Sequence, residues 1–115
     1  MAEPFAPYIE PPYFAVIFSN RLSPDHEGYE QMANRMAELA LGRPGCLGVE
    51  SARDASGFGI TVSFWRDERS IAAWKADAQH LIAQKLGIEK WYERFELRVA
   101  RVERAYSGPE GRGPA

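Results

Sequence analysis

The order of the apolar patterns along the chain limits its possible folds more than any other feature of this 115-residue sequence. Residues 13–20 (YFAVIFSN) form a short run dense in aromatic and β-branched side chains, which predicts a strand that is apolar on both faces. A helical pattern follows, and then come two strand-like runs at 46–53 and 59–65, a second helical pattern and a final strand at 95–106.

The first helical pattern carries start and stop signals at its ends. Ser23 offers a hydroxyl N-cap, Pro24 fits the first helical position, and Asp25 adds negative charge to the first turn. Gly42 fits a left-handed position at the C-terminus, and Pro44 prevents the helix from resuming. Between these signals the apolar residues recur at spacings of three and four, on one helical face: Tyr29, Met32, Ala33, Met36, Leu39 and Ala40.

The middle of the chain predicts a hairpin and then a second helix. Residues 54–57 (DASG) are turn formers between the two strand-like runs, so these runs pair antiparallel. Alternation divides the second run into two faces: Ile60, Val62 and Phe64 on one, and Thr61, Ser63 and Trp65 on the other. Asp67 fits the N-cap of the second helix and Gly87 its end. The apolar stripe of that helix is Ile71, Trp74, Ala78, Leu81 and Ile82.

The element order is therefore strand, helix, strand, strand, helix, strand. With short connections and right-handed crossovers, this order predicts an α+β domain of the ferredoxin-like kind, with a four-stranded antiparallel sheet and both helices on one face. The other face needs a cover, because the first strand is apolar on both sides and an exposed face of this kind would be a large sticky patch. Two sheets packed face to face in a homodimer would bury it. The alternative is a monomer with aromatic residues scattered over its surface.

Composition and charge narrow the class of protein. A hydrophobic fraction of 45% and a charged fraction of 26% are those of a globular domain, and the net charge of -2 argues against nucleic acid or an anionic membrane as partner. No apolar stretch approaches the roughly 20 residues that span a bilayer. The N-terminus lacks a basic start and an apolar run, so we expect no secretory signal. The single Cys46 excludes an internal disulfide and is typical of a cytoplasmic protein.

The two ends of the chain differ from the domain between them. Residues 1–12 contain four prolines and predict an extended arm that could lie over a partner. Residues 107–115 are rich in glycine and proline and predict a disordered tail. The folded domain is predicted at 13–106. Within it, Cys46 begins a strand beside Gly45, a position where a small buried thiol is more common than a nucleophile.

Four segments resemble the antibiotic biosynthesis monooxygenase family. They are YFAVIFSN, PGCLGVES after the first helix, GITVSFW, and IAAWKADAQH in the second helix. The resemblance spans about residues 13–106 and implies a dimeric α+β barrel. Relatives include cofactor-free oxygenases that form quinones, haem-degrading enzymes, and many proteins without an established activity, so the motifs mark the fold better than they mark a reaction.

The resemblance to the quinone-forming enzymes implies a pocket lined by the second helix and by the region before the last strand. His80 corresponds to a polar group of that pocket, and a histidine that titrates near neutrality could accept a phenolic or quinol proton. Trp74 would lie beneath the substrate, or it would simply anchor the core. His80 has a similar alternative as a partly exposed helix residue beside the core.

Other candidate residues lie near strand ends. Asn20 could orient oxygen or a carbonyl group with its amide, or it could only terminate the first strand. Trp91 and Tyr92 occupy a short connection before the last strand, where they could form a lid or pack the second helix against that strand. Arg98 could attract an anionic substrate, or it could form a surface ion pair with Glu50 or Glu96.

The leading hypothesis is a cofactor-independent monooxygenase that oxidises a small aromatic or quinol-like molecule with molecular oxygen. Haem degradation is a rival hypothesis, but the position of the expected axial histidine holds Gln84, and an amide is a poor haem ligand. A dimeric binding or stress-response module without catalysis is the other rival. Only two histidines and one cysteine occur, far apart in sequence, so we expect no closed zinc site.

Overall fold

The computed structural model describes residues 4–84 and 91–109, and for residues 78–84 it describes the backbone only. The elements are β1 (Tyr13–Leu22), α1 (Tyr29–Leu41), β2 (Cys46–Arg53), β3 (Phe58–Trp65), α2 (Glu68–Gln84) and β4 (Tyr92–Val102). The four strands form one sheet in the order β2-β3-β1-β4, and all neighbouring strands are antiparallel. This arrangement confirms the predicted ferredoxin-like α+β fold.

The register of the strands separates the sheet into two faces. Val16 of β1 pairs with Ser63 of β3, and Phe14 pairs with Trp65, so these residues share a face. The helices cover this face, because Val16 and Trp65 form the buried core together with Ala40 of α1 and Ile71 of α2. Trp65 is 0% exposed, and full burial of a large apolar side chain stabilises a fold by about 1.5–3 kcal/mol.

The start of α2 follows the sequence prediction and is tied to the end of α1. Asp67 is the N-cap, since its Oδ1 accepts a hydrogen bond of 2.8 Å from the Ser70 backbone N–H. A Cβ atom at Gly45 would collide with the side chain of Ser70, so the glycine allows β2 and α2 to approach closely. An ion pair joins Arg43, just after α1, to Asp77 in the middle of α2. The predicted end of this helix, Gly87, lies outside the described residues.

The predicted start of α1 at Ser23 is wrong. The helix begins at Tyr29 after an N-cap at Gly28, which has a φ of 85°. The reason is that β1 continues to Leu22, after which the Ser23 N–H donates to the Trp91 carbonyl at 2.8 Å. Ser23 thus ends a strand, and Pro24 and Asp25 lie in the connection.

The predicted left-handed conformation of Gly42 is also wrong. Gly42 has a φ of -81°, and its N–H donates to the Glu38 carbonyl at 3.0 Å, as in a continuing helix. On the predicted apolar face of α1, Met32 and Ala40 are buried, whereas Leu39 is 38% exposed.

The last strand differs from its prediction at both ends. It begins at Tyr92 and ends at Val102, whereas the sequence predicted residues 95–106. Tyr92 pairs with Leu22, the last residue of β1, so β4 begins at the residue that pairs with the end of β1. The hairpin between β2 and β3 agrees with its prediction, with Asp54 Oδ1 accepting from the backbone and side chain of Ser56.

The sheet face opposite the helices is partly covered by the N-terminal arm. The Ala6 N–H donates to Glu50 Oε2 at 3.0 Å, and the Tyr8 hydroxyl donates to the Ala105 carbonyl at 3.2 Å. The arm therefore lies over its own sheet at β2. Phe58 and Ile60, on the same face of β3, remain 38% and 39% exposed. The predicted homodimer stays a prediction, and most of the predicted disordered tail lies outside the described residues.

Candidate functional site

A cavity of about 600 Å³ lies between the sheet and the two helices. This volume is typical of sites for small molecules. The space exists because small side chains line it from both layers. They are Ala33, Ala37 and Ala40 on α1 and Ser51, Thr61 and Ser63 on the sheet.

Larger apolar and aromatic side chains form the ends and walls of this cavity. Val16 and Phe18 come from β1, Trp74 from α2, and Tyr92 and Phe95 from β4. The Phe18 and Tyr92 rings meet edge to face, with their centroids 5.3 Å apart. The walls therefore suit a flat apolar molecule.

An arginine crosses the sheet at one end of the cavity. Arg53 of β2 and Asn20 of β1 lie on either side of Gly59 of β3, with all three in register. A Cβ atom at Gly59 would lie 2.7–2.9 Å from the guanidinium atoms of Arg53, so the guanidinium rests directly on the glycine. Arg53 Nη2 thereby reaches Asn20 Oδ1, to which it donates a hydrogen bond of 2.7 Å.

Two tyrosines complete this end of the cavity. Arg53 Nη2 also donates to the Tyr29 hydroxyl at 2.9 Å, and its Cζ lies 5.3 Å from the Tyr29 ring centroid. The rings of Tyr29 and Tyr92 are 5.6 Å apart. Burial, followed by the neighbouring Tyr29 hydroxyl, raises the pKa of Tyr92 well above its usual value, while Arg53 opposes this shift. The Tyr92 phenol is therefore neutral at physiological pH and can donate a hydrogen bond.

The charged residues that line the cavity in the described part of the chain are both cations, Arg53 and Lys75. Arg53 donates to neutral oxygens of Gly57, Asn20 and Tyr29. In the described residues, ion pairs involve other arginines: Arg43 with Asp77, Arg94 with Glu96, and Arg101 with Glu103. The cavity thus carries positive charge that no described carboxylate neutralises.

Two of the predicted substrate-binding residues line this cavity, and Trp91 does not. Trp74 and Tyr92 are among the lining residues. Trp91 is 4% exposed, and its Nε1 donates to the Glu27 carbonyl at 3.1 Å. Trp91 thus fixes the connection before α1 against the start of β4, a contact that neither the lid nor the packing of the second helix against the last strand had predicted.

Arg98 lies away from the cavity. It pairs with Ile17, on the sheet face opposite the helices, and does not line this cavity, so its predicted substrate-binding role stays a prediction. A strand places alternate residues on opposite faces, and Arg98 has the parity of that outer face. The cation that sequence reasoning assigned to Arg98 is instead provided by Arg53 and Lys75.

The structure places the two predicted catalytic residues differently. Asn20 is 2% exposed beside the cavity, with its Oδ1 bound to Arg53 and its Nδ2 3.5 Å from the Phe18 carbonyl. The backbone of His80 lies in α2, but its side chain is outside the described residues. The side chain of Gln84, on which the haem hypothesis depends, is outside them as well. The catalytic roles of His80 and Asn20 stay predictions.

Trp74 differs from the other two tryptophans in its indole nitrogen. Trp65 Nε1 donates to Ser63 Oγ at 2.8 Å, and Trp91 Nε1 is also paired. Trp74 Nε1 is buried and has no acceptor among the described residues. A buried indole N–H normally has a hydrogen-bond acceptor. Among the described residues, the fold therefore satisfies the indole donors of Trp65 and Trp91 but not that of Trp74.

Sequence reasoning missed Arg53, Gly59 and Tyr29 as parts of the site. In the sequence, Gly59 was predicted only as the start of a strand-like run and Arg53 only as the end of one. Part of the signal was the hairpin: a turn at 54–57 brings Arg53 close to the start of β3, where it pairs with Gly59. The partners of Arg53 on β1 and α1 depend on the tertiary structure.

Other kinds of site receive no support from the described part of the chain. Its residues include no group of three or more His, Cys, Asp or Glu side chains that could hold a metal ion. Burial raises the pKa of the Cys46 thiol, which works against a role as nucleophile. Neither described helix is long and apolar enough to cross a membrane.

The fold defines a small α+β protein of the ferredoxin-like type, with a cavity between its sheet and its helices. A profile of the antibiotic biosynthesis monooxygenase family matches residues 13–86. The match covers more than half of the chain, and the chain belongs to this family.

Two relatives support this assignment. The uncharacterized protein YqjZ of Bacillus subtilis is 48% identical over 95 residues, which cover 83% of each chain. The jasmonate monooxygenase ABM of Pyricularia oryzae is 34% identical over 94 residues. That match covers 77% of this chain but 43% of the longer fungal protein.

Solved structures agree with the fold. The cofactor-independent oxygenase SnoaB of Streptomyces nogalater superposes with a TM-score of 0.67 at 10% identity, over 81% of this chain and 95% of that one. The protein SO0527 of Shewanella oneidensis gives a TM-score of 0.70 at 14% identity, over 85% and 98% of the two chains.

Proposed function

We propose that this protein is a monooxygenase that oxidises a small aromatic or quinol-like molecule with molecular oxygen and without a cofactor. The observation that carries the proposal is the cavity of about 600 Å³ with aromatic walls, in a chain of the monooxygenase family. Similarity to the fungal jasmonate monooxygenase and the fold shared with the cofactor-independent Streptomyces oxygenase support the reaction type.

The protein would contribute binding and proton transfer, while the substrate would supply the electrons. In an anthrone-like substrate, a CH₂ group between two rings loses a proton to a base, and the resulting carbanion reacts with oxygen. One oxygen atom stays on the carbon as a carbonyl and the other leaves as water, so that CH₂ and O₂ give C=O and H₂O. We propose His80 as the base, with Trp74 and Tyr92 packing the rings.

Oxygen uptake by the metal-free protein would test this function. The panel contains anthrones, naphthols, quinols and jasmonate, with no flavin added. We expect uptake with at least one compound, and a fall of about tenfold or more in His80→Ala, as for the loss of a general base. The chain has one other histidine, the exposed His26, so His26→Ala is a matched control.

Three outcomes would count against the proposal or part of it. Uptake that requires added flavin or iron would contradict cofactor independence. Equal activity of His80→Ala and the wild type would remove His80 from the mechanism. No uptake over the whole panel, with binding retained, would favour the binding module without catalysis.

A further inference from the structure

We infer that the cavity selects an anionic substrate, a flat apolar molecule that carries one carboxylate or phenolate, and that Arg53 binds the anionic group. This inference rests on the proposed function only in taking the cavity as the substrate site. Two residues position Arg53: Asn20 accepts from its Nη2, and Gly59 leaves the space that its guanidinium occupies.

The first argument is the charge of Arg53. A guanidinium has five N–H groups, and three hydrogen bonds of Arg53 go to the Gly57 carbonyl, Asn20 Oδ1 and the Tyr29 hydroxyl. These acceptors are neutral, so they orient the group without cancelling its charge. The remaining N–H groups have no acceptor among the described residues, and Arg53 lines the cavity. A planar guanidinium with spare donors is suited to carboxylate or phenolate oxygens.

The second argument is the shape of the cavity along the strands. Three rungs of paired residues follow one another along the cavity, and the first of them lines it through Arg53 alone. The rungs are Arg53, Gly59 and Asn20, then Ser51, Thr61 and Phe18, then Val49, Ser63 and Val16. The outer rungs are four residues apart, or about 13 Å at the usual rise of a strand. Trp74 packs at the far rung, against the core that contains Val16. An anion at Arg53 would therefore direct an apolar body of two or three rings along Phe18 toward Trp74.

The third argument is that the fixed position of Arg53 has a local structural cause. Any side chain at position 59 would displace the guanidinium, while the displaced atoms are the end of a flexible side chain. Gly59→Ala should thus move the charge and leave the fold intact. This variant keeps the positive charge of Arg53 but changes its position, so it tests whether the position matters for binding.

The test compares binding of 2-naphthoate with binding of its uncharged methyl ester, by calorimetric titration under nitrogen. Without oxygen no turnover occurs, so binding is measured apart from catalysis. We expect the wild-type protein to bind the carboxylate about tenfold more tightly than the ester, a modest preference because Arg53 is exposed to solvent. Added salt should reduce the preference.

Variants assign the preference to Arg53. Arg53→Gln should bind both compounds within about twofold of each other and keep the wild-type affinity for the ester, whereas Arg53→Lys should keep part of the preference. Gly59→Ala should also lose most of it, although the charge is retained. Arg21→Gln is the matched control, because Arg21 lies at the same end of the sheet but pairs with Phe58 on the outer face.

Equal affinities of the wild type for the two compounds would overturn the inference, and so would a full preference in Arg53→Gln, which would assign the charge to Lys75. A preference that Arg53→Gln removes would support it, even if no compound in the oxygen-uptake panel is oxidised. Conversely, oxidation of neutral and anionic substrates at equal efficiency would support the proposed function and contradict the selectivity.

Discussion

Arg53 and Asn20 share a hydrogen bond of 2.7 Å although the whole strand β3 lies between them. The bond exists because the residue of β3 between them is a glycine. Asn20 is 2% exposed, so its amide oxygen depends on this partner. The pair joins the hairpin end of β2 to the centre of the sheet, beside the cavity.

The first prediction concerns the stability that this pair contributes. Arg53→Ala should lower the free energy of unfolding by about 1–3 kcal/mol, because it leaves the buried Asn20 Oδ1 without a partner. Asn20→Ala and the double variant complete a cycle, and the coupling energy should be about 1–2 kcal/mol. Urea unfolding measures all four proteins.

A matched substitution separates this effect from the general loss of a positive charge. Arg21 donates to Ser56 in the same hairpin region, and this acceptor is exposed, whereas the Asn20 acceptor of Arg53 is buried. Arg21→Ala should change the stability by less than about 0.5 kcal/mol. A coupling energy near zero between Arg53 and Asn20 would show that their hydrogen bond adds nothing to the fold.

The second prediction compares two tryptophans that differ in their Nε1 partners. Trp65→Phe should be the more destabilising substitution, because it removes a fully buried ring portion and the bond to Ser63 Oγ. Trp74→Phe removes a donor that has no acceptor among the described residues, so part of its packing loss is offset. Thermal unfolding measures the order. A larger loss for Trp74→Phe would mean that its indole N–H is paired.

The fold could be predicted from the sequence because each segment with the apolar spacing of a strand or of a helix forms one such element in the structure. The β2 run at 46–53 and the hairpin at 54–57 depend on local turn formers and alternation, and both agree with the structure. The start of α1 could not be predicted in this way. Ser23 and Pro24 form a good local N-cap signal, but the sheet extends to Leu22 and binds Ser23 to Trp91.

The site was less predictable than the fold. Trp74 was identified because it lies on the helical stripe and in a family motif. The position of Arg98 on the face away from the cavity could not be predicted, because alternation along a strand does not tell which face the helices cover. Arg53 was missed because its function depends on Asn20, 33 residues away in sequence, and on the absence of a side chain at Gly59.

The third prediction concerns Asp67 and acid. Hydrogen bonds from the backbone and side chain of Ser70 hold the pKa of Asp67 below its usual value of 3.8. A carboxylate with a lowered folded pKa stabilises the fold above its unfolded pKa, and this contribution is lost as the pH falls through the folded value. Asp67→Asn keeps an acceptor for the Ser70 N–H but has no carboxylate to protonate. Between about pH 7 and about pH 3, its melting temperature should therefore fall less than that of the wild type.

Two further variants test the cap itself. Asp67→Ala should melt at a lower temperature than Asp67→Asn at neutral pH, because it removes the acceptor for the Ser70 N–H. Asp25→Asn is the control, since Asp25 lies outside α1 despite its sequence context. Equal melting temperatures of the alanine and asparagine variants would show that the cap does not stabilise α2.

The last prediction is the homodimer, formed through the sheet face opposite the helices. Phe58 and Ile60 are 38% and 39% exposed on this face, and the arm covers the side of β2 and leaves them open. We expect sedimentation to give twice the chain mass of 12.9 kDa.

Ile60→Lys should give a folded monomer, because a buried unpaired charge is costly in an apolar interface. Leu41→Lys, at a residue 58% exposed at the end of α1, should stay dimeric. A dimer that survives Ile60→Lys would have to use another surface, whereas a monomeric wild type would contradict the predicted homodimer.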